Sequence, residues 1–177
     1  MKTYNRTCKR PRALWVGVTL VGLILDMLTK LIVESTMAVK DSIPLLRGVL
    51  HITHIENRGA AFGMLSEHRW VFLIISSLTI LFLIFFLLRT RSRDPILLIS
   101  LSMVLSGGIG NMIDRLILGY VVDMIDFCLI DFAVFNVADS FVCVGAALLF
   151  VAILFEAKEE SPAAKPTVEE QNDSADY

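Results

Sequence analysis

Charged residues are scarce in this sequence. Asp, Glu, Lys and Arg make up 19% of its 177 residues, whereas 55% are hydrophobic, and the mean hydropathy is +0.69. A water-soluble domain of this length needs more polar residues than that to cover its surface. The shortage of charge therefore excludes an ordinary soluble domain and indicates an integral membrane protein.

Cysteine and histidine are also scarce, with three of each in the chain. Cys8, Cys128 and Cys143 lack the spacing of a metal site or a disulfide framework, so we expect the last two to pack as small hydrophobic residues. The histidines lie in another segment, which argues against a cysteine nucleophile with a histidine base. They are His51, His54 and His68.

What the sequence does have is four long apolar runs. Each is close to the roughly 20 residues that a helix needs to cross about 30 Å of hydrocarbon. We therefore predict an all-α membrane protein of four transmembrane helices. The runs are at about Leu14–Val33, Trp70–Leu88, Ile96–Leu118 and Asn136–Phe155.

The basic residues indicate the orientation of these spans. They cluster before the first run and again at Arg89, Arg91 and Arg93, which predicts that both flanks are cytoplasmic. Both termini then lie inside, and the outer segments are about 34–69 and 119–135. The first run is longer than a usual signal core and has no small-x-small cleavage site before Glu34, so we expect a permanent anchor.

Composition divides the chain into three regions. Residues 1–13 form a basic cytoplasmic N-terminus, and residues 14–155 form the membrane domain with an outer flap at about 34–69. The tail, residues 156–177, holds seven acidic and two basic residues. It lacks the apolar surface needed to fold, so we expect it to be disordered in the cytoplasm.

The first outer segment alternates like a β-strand around HITHIEN. From Pro44 to about Phe62 we predict a small β-rich flap, or cradle, over the outer helix ends, with Val49, Ile52 and Ile55 buried. A zinc site would need His51 and His54 with Glu56 or His68. That spacing fits no standard zinc pattern, so no metal site is predicted.

Polar residues of three predicted spans fall at one depth, near the outer surface. At about 1.5 Å per residue, Asp26 lies about 18 Å from the inner end of the first span, and Asn111 lies about 22 Å into the third. The fourth span begins on the same side with Asn136 and Asp139, and Asp123 follows the third span. We therefore expect one site at the outer ends of the helices.

Spacing within the spans indicates how these side chains are arranged. Asp26 and Lys30 are four residues apart, so they share a helix face, and we expect a structural ion pair. Asp114 and Arg115 are neighbours that cannot point the same way. We expect Arg115 to turn inward and hold a carboxylate or a carbonyl group, while the glycines of 107–110 allow another helix to approach closely.

Asp123 and Asp139 are candidates for acid–base chemistry. Two carboxylates a few ångströms apart cannot both ionise easily, so such a pair shares one proton. The ionised member can take a proton from water as the water attacks a peptide carbonyl. The protonated member can donate a hydrogen bond to the oxyanion and later a proton to the leaving nitrogen, and this chemistry needs no metal or other cofactor. Asp126 and Asp131 lie in the same segment, and the residues alone do not separate Asp123 from Asp126.

Five motifs of this sequence resemble those of the lipoprotein signal peptidases, or signal peptidase II, a family of bacterial intramembrane aspartyl endopeptidases. The similarity covers roughly residues 14–155. The motifs occur in the family's order within a frame of four spans, which makes the set far more specific than any one of them. They are DMLTK at Asp26–Lys30, ENRGAAFG at Glu56–Gly63, GGIGNMIDR at Gly107–Arg115, VVDMIDF and FNVAD.

The resemblance implies that Asp123 and Asp139 are the catalytic dyad. It also implies the reaction, which is removal of the signal peptide from prolipoproteins on the amino side of a diacylglyceryl-modified cysteine, at the outer face of the bacterial inner membrane. We expect a monomer that contacts membrane lipid and needs no cofactor. Residues that would line the site or support the dyad are Asn57, Asn111, Arg115, Asn136, Asp26 and Lys30. Arg58 and the acidic tail depart from the family's usual pattern.

Two other classes of protein fit parts of this sequence. A transporter or proton-conducting subunit also carries charged residues inside the membrane, but here the inner halves of the spans are almost purely apolar and no inverted repeat is found. A structural or assembly protein explains the glycines and the tail but not the convergence of polar residues. Basic residues are not interleaved with aromatic ones, so no nucleic-acid binding is expected.

Overall fold

The computed structural model describes residues 12–59 and 69–159, and it contains the four expected helices. Their bounds are α1 Arg12–Thr36, α2 Arg69–Arg89, α3 Pro95–Ile117 and α4 Val137–Glu159. Each is long and apolar enough to cross a membrane. The prediction of four spans is therefore confirmed, with helix ends that differ from the predicted ones by a few residues. The basic segment before residue 12 and the tail after residue 159 lie outside the described residues.

Local sequence signals explain where α3 begins. Asp94 adopts an extended backbone conformation and its carboxylate accepts from the backbone N–H groups of Ile96, at 2.9 Å, and Leu97, at 3.3 Å. Pro95 follows at the first helical position, where its missing N–H group costs nothing. The cap therefore ends the short connection between α2 and α3.

A three-stranded antiparallel sheet lies at the opposite end of α3. Its strands are β1 Ser42–Leu46, β2 Leu50–Asn57 and β3 Val121–Asp126, in the order β1-β2-β3. The predicted β-rich flap is therefore present, although 60–62 lie outside the described residues. Its third strand comes from the second outer segment, which the periodicity did not predict. Because β3 carries Asp123, its pairing with β2 fixes the position of that candidate site residue.

The burial predicted for the flap is wrong at one position. Val49 is 37% exposed, whereas Ile52 and Ile55 are partly buried. The buried residue of β2 is instead His54, whose Nδ1 lies 2.9 Å from the Met37 carbonyl oxygen. Val49 lies outside β2, in the turn that joins β1 to β2, so the alternation of the strand does not apply to it.

The central helix of the bundle is α3, which packs against each of the other three helices. Its buried leucines meet the buried residues of α2 in the main apolar cluster, while the outward faces of the helices expose large apolar side chains, as expected for lipid contact. The cluster comprises Ile80, Leu83, Leu87, Leu98, Leu101 and Leu105.

Small residues bring α3 and α4 close together. A Cβ atom on Gly107 would collide with the carbonyl oxygen of Ala138 and would also press on Val142 at 2.6 Å. A Cβ atom on Gly110 would collide with the Asp26 carboxylate. The glycines of α3 therefore allow both α1 and the start of α4 to approach its backbone.

Replacing Gly107 by alanine is expected to lower the free energy of unfolding by about 1–3 kcal/mol, because the added methyl group overpacks the contact with α4. Gly108→Ala is the matched control, since its nearest neighbour would be the Ile80 side chain at 3.6 Å, an ordinary contact. Alanine also favours the helix over glycine by about 1 kcal/mol. Unfolding in mixed detergent micelles measures both, and equal stabilities of the two variants would contradict the close α3–α4 contact.

Candidate active site

Asp123 lies on β3 and is almost fully buried, at 1% exposure. In the β2–β3 register it is opposite Ile55, and two asparagine side chains hold its carboxyl group. The Asn57 amide donates to Oδ2 at 2.8 Å, and the Asn136 amide donates to Oδ1 at 2.7 Å. Both predicted partners therefore contact it, and both are neutral.

This environment favours the protonated form of Asp123. Burial raises the pKa of its carboxyl group from 3.8 to about 7. The nearby charge of Asp139 raises the pKa further, while the hydrogen bonds from Asn57 and Asn136 oppose the rise. Since Asp123 is ionised in the unfolded chain above about pH 4, folding takes up a proton between that pH and 7.

The stability contribution of Asp123 is therefore expected to be full below about pH 4 and to be lost as the pH rises to 7. Relative to an Asp123→Asn variant, the wild type should lose about 3 kcal/mol of unfolding free energy between roughly pH 4.5 and 7.5. Unfolding titrations of both proteins at the two pH values measure the difference. A pH-independent difference would mean that Asp123 keeps an ordinary pKa in the folded protein.

Asp139 lies in the first turn of α4. Its backbone N–H donates to the Asn136 side-chain oxygen at 2.9 Å, and one of its carboxylate oxygens accepts from the Asn136 backbone N–H at 3.2 Å. This reciprocal cap satisfies N–H groups at the helix start and fixes the Asp139 side chain. Its other carboxylate oxygen accepts from the Asn111 amide at 2.7 Å.

Asn136 joins the two aspartates. It is fully buried, and its amide nitrogen donates both to Asp123 and, at 3.0 Å, to the side-chain oxygen of Asn111. Its own side-chain oxygen and backbone N–H are used by Asp139. One asparagine thus orients two carboxyl groups that come from a strand and a helix.

Lys30 fixes the orientation of Asn111. Its Nζ donates to the Asn111 side-chain oxygen at 3.0 Å, and the same oxygen accepts from Asn136. An oxygen that receives two N–H donors cannot exchange places with the amide nitrogen without losing both hydrogen bonds. Asn111 must therefore present its amide nitrogen to Asp139.

The Lys30 ammonium also lies between two carboxylates, at 2.8 Å from Asp26 and 2.8 Å from Asp114. The predicted Asp26–Lys30 ion pair is present, and Asp114 adds a third member. Asp26 accepts from the Ala138 backbone N–H at 2.8 Å, and Asp114 accepts from that of Val122 at 3.3 Å. The buried triad thereby ties α1 and α3 to the backbone next to Asp139 and next to Asp123.

Arg115 turns inward, as predicted. Its guanidinium donates to the carbonyl oxygens of Asn111, at 3.2 Å, and Gly59, at 3.4 Å, and lies 5.0 Å from the centre of the Phe72 ring. Of the two kinds of acceptor that were predicted, it is carbonyl groups that receive these hydrogen bonds. Through Gly59, Arg115 links the end of the sheet region to α3.

The aspartates line a cavity of about 630 Å³ between the sheet, α2, α3 and α4. Asn57, Asn111 and Arg115 line it too, and Asp123 and Asp139 are the acids among the described lining residues. Most of the remaining wall is apolar, a combination typical of ligand sites with a few orienting polar groups. The apolar residues of the wall include Phe72, Val121, Phe132, Phe135 and Val144.

The other aspartates of the second outer segment lie elsewhere. Asp126 is three residues from Asp123 on β3, so its side chain leaves the opposite face of the strand, where the Thr53 hydroxyl donates to it at 2.7 Å. Asp131 is exposed at the end of the short 3₁₀ helix Cys128–Ile130. The geometry therefore separates Asp123 from Asp126, as the residues alone did not.

Sequence reasoning assigned no site role to Asp114, and it missed the aromatic part of the wall. Asp114 lies three residues after Asn111, which is the helical spacing for a shared face and was the available signal. Phe72 and Phe132 had no such signal, because an aromatic residue in an apolar chain is usually a lipid or core contact. Only the meeting of α2 with the second outer segment brings them to the cavity.

Comparison with known proteins shows which family this chain belongs to. The sequence model of the family described as signal peptidase (SPase) II matches residues 18–155. The chain belongs to the signal peptidase II family.

Two curated lipoprotein signal peptidases are similar to this chain over most of their length. The one from Halothermothrix orenii is 43% identical over 134 residues, which cover 76% of this chain and 90% of the relative. The one from Streptococcus thermophilus is 42% identical over 151 residues, which cover 85% and 97%.

Solved structures agree with this membership. One bacterial membrane enzyme determined by the in meso method superposes with a TM-score of 0.78 at 32% identity, covering 85% of this chain and 94% of that one. A second bacterial membrane enzyme, also determined by the in meso method, gives a TM-score of 0.73 at 34% identity, covering 79% of this chain and 92% of that one. The chain is thus a multi-pass bacterial membrane peptidase of the family that removes signal peptides from lipoprotein precursors.

Proposed function

We propose that this peptidase uses Asp123 and Asp139 as an aspartyl dyad. The observation that carries the proposal is the side chain of Asn136, which donates to Asp123 while forming the reciprocal cap with Asp139. One buried asparagine thereby directs both carboxyl groups to the wall of one cavity. A shared cavity supports acid–base catalysis, in which an acid and a base act on one bond.

The environments of the two carboxyl groups support different roles for them. Asp123 is buried among neutral amides, and its pKa of about 7 keeps it mostly protonated in mildly acidic solution. Asp139 lies at the N-terminus of α4, where the helix dipole stabilises a carboxylate. Asp139 is therefore the base in the resting enzyme, and Asp123 is the acid.

Hydrolysis then follows in two proton transfers. Asp139 takes a proton from water as the water oxygen attacks the scissile carbonyl carbon, and Asp123 donates a hydrogen bond to the oxyanion that forms. When the carbon–nitrogen bond breaks, the leaving nitrogen takes a proton from the dyad, and the second product is a carboxylic acid. Hydrogen bonds from Asn111 and Asn136 hold the two carboxyl groups in the same orientation during both steps. Lys30 supports this arrangement by fixing the orientation of Asn111.

The substrate is proposed to be a prolipoprotein whose cysteine carries a diacylglyceryl group, cut on the amino side of that cysteine. The apolar wall of the cavity suits acyl chains, while the dyad lies at the end of the bundle that carries the sheet. The arginines around Arg89 lie at the opposite end, between α2 and α3, and favour a cytoplasmic position there. The dyad would then face the extracytoplasmic side and both termini the cytoplasm.

This proposal predicts a strong dependence on the lipid. Purified enzyme in lipid nanodiscs should cleave a precursor peptide with a diacylglyceryl cysteine at least about tenfold faster, in kcat/KM, than the same peptide with a free thiol, because contacts remote from the scissile bond contribute to catalysis. Mass spectrometry of the products measures the rate and the position of the cut. Equal rates for the two peptides would contradict the lipid assignment, and failure to cleave either would contradict the proposed reaction.

A further inference from the structure

Three side chains with metal-ligating atoms meet on the sheet, away from the dyad. They are His51 of β2, Asp126 of β3 and Cys128 of the 3₁₀ helix, and one ligand atom of each lies within 4.8 Å of the other two. His51 and Asp126 are directly paired across the two strands. The strand register therefore holds two of the three groups side by side on the face opposite to Asp123.

The surrounding hydrogen bonds determine which nitrogen of His51 carries the proton. The Thr53 hydroxyl uses its one hydrogen to donate to the Asp126 carboxylate at 2.7 Å. The Ser42 hydroxyl, 2.9 Å from Thr53, must then donate to Thr53, so it accepts from Nδ1 of His51 at 3.2 Å. Nδ1 is thereby fixed as a hydrogen donor, and in the neutral ring the lone pair is then on Nε2.

That lone pair has no hydrogen-bond partner among the described residues. Nε2 of His51 is buried from solvent and makes no hydrogen bond to any of them. A buried polar atom without a partner costs about 1–3 kcal/mol, so a native protein usually has a ligand or water at such an atom. A neutral imidazole nitrogen next to a carboxylate and a thiol is a coordination environment that borderline metal ions prefer.

We propose that His51, Asp126 and Cys128 bind a divalent metal ion of the zinc class. Nε2, one carboxylate oxygen and Sγ supply three ligands, and a water molecule supplies the fourth. The hydroxyls of Ser42 and Thr53 orient the histidine and the carboxylate, as the outer groups of metal sites do. The site lies away from the dyad, so its metal ion takes no part in peptide cleavage.

The required rearrangement is small. Bonds of about 2.0–2.3 Å in a tetrahedral site place ligand atoms roughly 3.3–3.8 Å apart, whereas one ring nitrogen of His51, a carboxylate oxygen of Asp126 and the Cys128 Sγ now lie within 4.8 Å of one another, so the three side chains must approach by about an ångström. The Cys128 Sγ now makes only a weak contact with the Asp126 carbonyl oxygen at 3.8 Å, so it is able to rotate toward the metal ion. Its thiol proton is released to solvent on binding. The bound ion would fasten the sheet to the segment that leads into α4.

Cobalt(II) titration of chelator-treated, full-length protein in detergent tests this proposal, provided that the protein is purified without a histidine tag. We expect one equivalent to bind with a sulfur-to-cobalt charge-transfer band. Cys128→Ser should abolish the band, whereas the matched Cys143→Ser should retain it. His51→Asn, which keeps a donor for Ser42 but lacks Nε2, and Asp126→Asn should each weaken zinc binding at least about tenfold by calorimetry.

A second measurement needs no substitution. Zinc should slow alkylation of the Cys128 thiol in the wild-type protein by at least about tenfold and leave Cys143 unchanged, as followed by mass spectrometry of the two peptides. Absence of metal binding by the wild type, equal protection of both thiols, or full affinity in His51→Asn would overturn the proposal. Cleavage of lipoprotein precursor should persist in excess chelator, and its loss would overturn the statement that the ion takes no part in cleavage.

Discussion

Asp123→Asn and Asp139→Asn enzymes are each expected to lose at least about 10³-fold in kcat for lipoprotein precursor cleavage. General acid and general base catalysis each contribute about 10² to 10⁴ in rate, and each substitution removes one of these functions from the dyad while preserving the size of the side chain. The measurement is single-turnover cleavage of a diacylglyceryl-modified peptide with enzyme in excess. Substrate binding should change much less than the rate of the chemical step.

Asp131→Asn is the matched control for these variants. Asp131 lies in the same outer segment, is exposed, and has a left-handed backbone at φ 50° that asparagine also tolerates. The cleavage rate of the Asp131→Asn enzyme should stay within about twofold of the wild-type rate, as for other surface substitutions. A similar loss in Asp131→Asn would mean that the segment as a whole is sensitive to charge, and it would remove the support for a dyad.

The double variant Asp123→Asn/Asp139→Asn supplies a sharper test. Residues that act as one catalytic unit give losses that do not add, so the double variant should be about as slow as the slower single variant. Two independent supporting residues would instead give losses that multiply. Additive losses in activation free energy would therefore exclude joint action of Asp123 and Asp139 even if each single variant were nearly inactive.

The membrane frame could be predicted from the sequence because a run of about 20 apolar residues is much more typical of a membrane span than of a soluble core helix. Asp26, Asn111 and Asn136 could be predicted to lie at a similar depth in the membrane, because the rise per residue is fixed in a helix. The sheet could not be predicted in the same way. β3 pairs with β2 across more than sixty intervening residues, and nothing periodic in VVDMID specifies that partner.

Long-range pairing also explains why particular site contacts were missed. The metal-ligating cluster joins His51 to Asp126 and Cys128 through the strand register, so the local spacing of the histidines gives no indication of it. Asp114 was identifiable as a face neighbour of Asn111, but its contact with Lys30 depends on how α1 packs against α3. Sequence spacing predicts which side chains share one element, whereas packing determines which elements meet.

Lys30→Met is expected to destabilise the folded protein by about 3–5 kcal/mol. Lys30 is 4% exposed, and its removal leaves the carboxylates of Asp26 and Asp114 buried without their cation. Lys40→Met is the matched control, because it makes the same chemical change at an exposed lysine and should alter stability by no more than about 0.5 kcal/mol. Unfolding in mixed micelles measures both, and similar effects of the two substitutions would contradict the buried triad.

Stability and positioning are separable in this triad. Adding Asp26→Asn and Asp114→Asn to Lys30→Met removes the two uncompensated charges but keeps oxygens that can accept from Ala138 and Val122, so most of the lost stability should return. Asn111 would still lack its lysine donor and would be freer to turn its amide away from Asp139. The triple variant should therefore fold like the wild type yet cleave at least about tenfold more slowly. Full recovery of cleavage together with stability would show that Lys30 acts only by neutralising charge and that the Lys30–Asn111 hydrogen bond does not position the dyad.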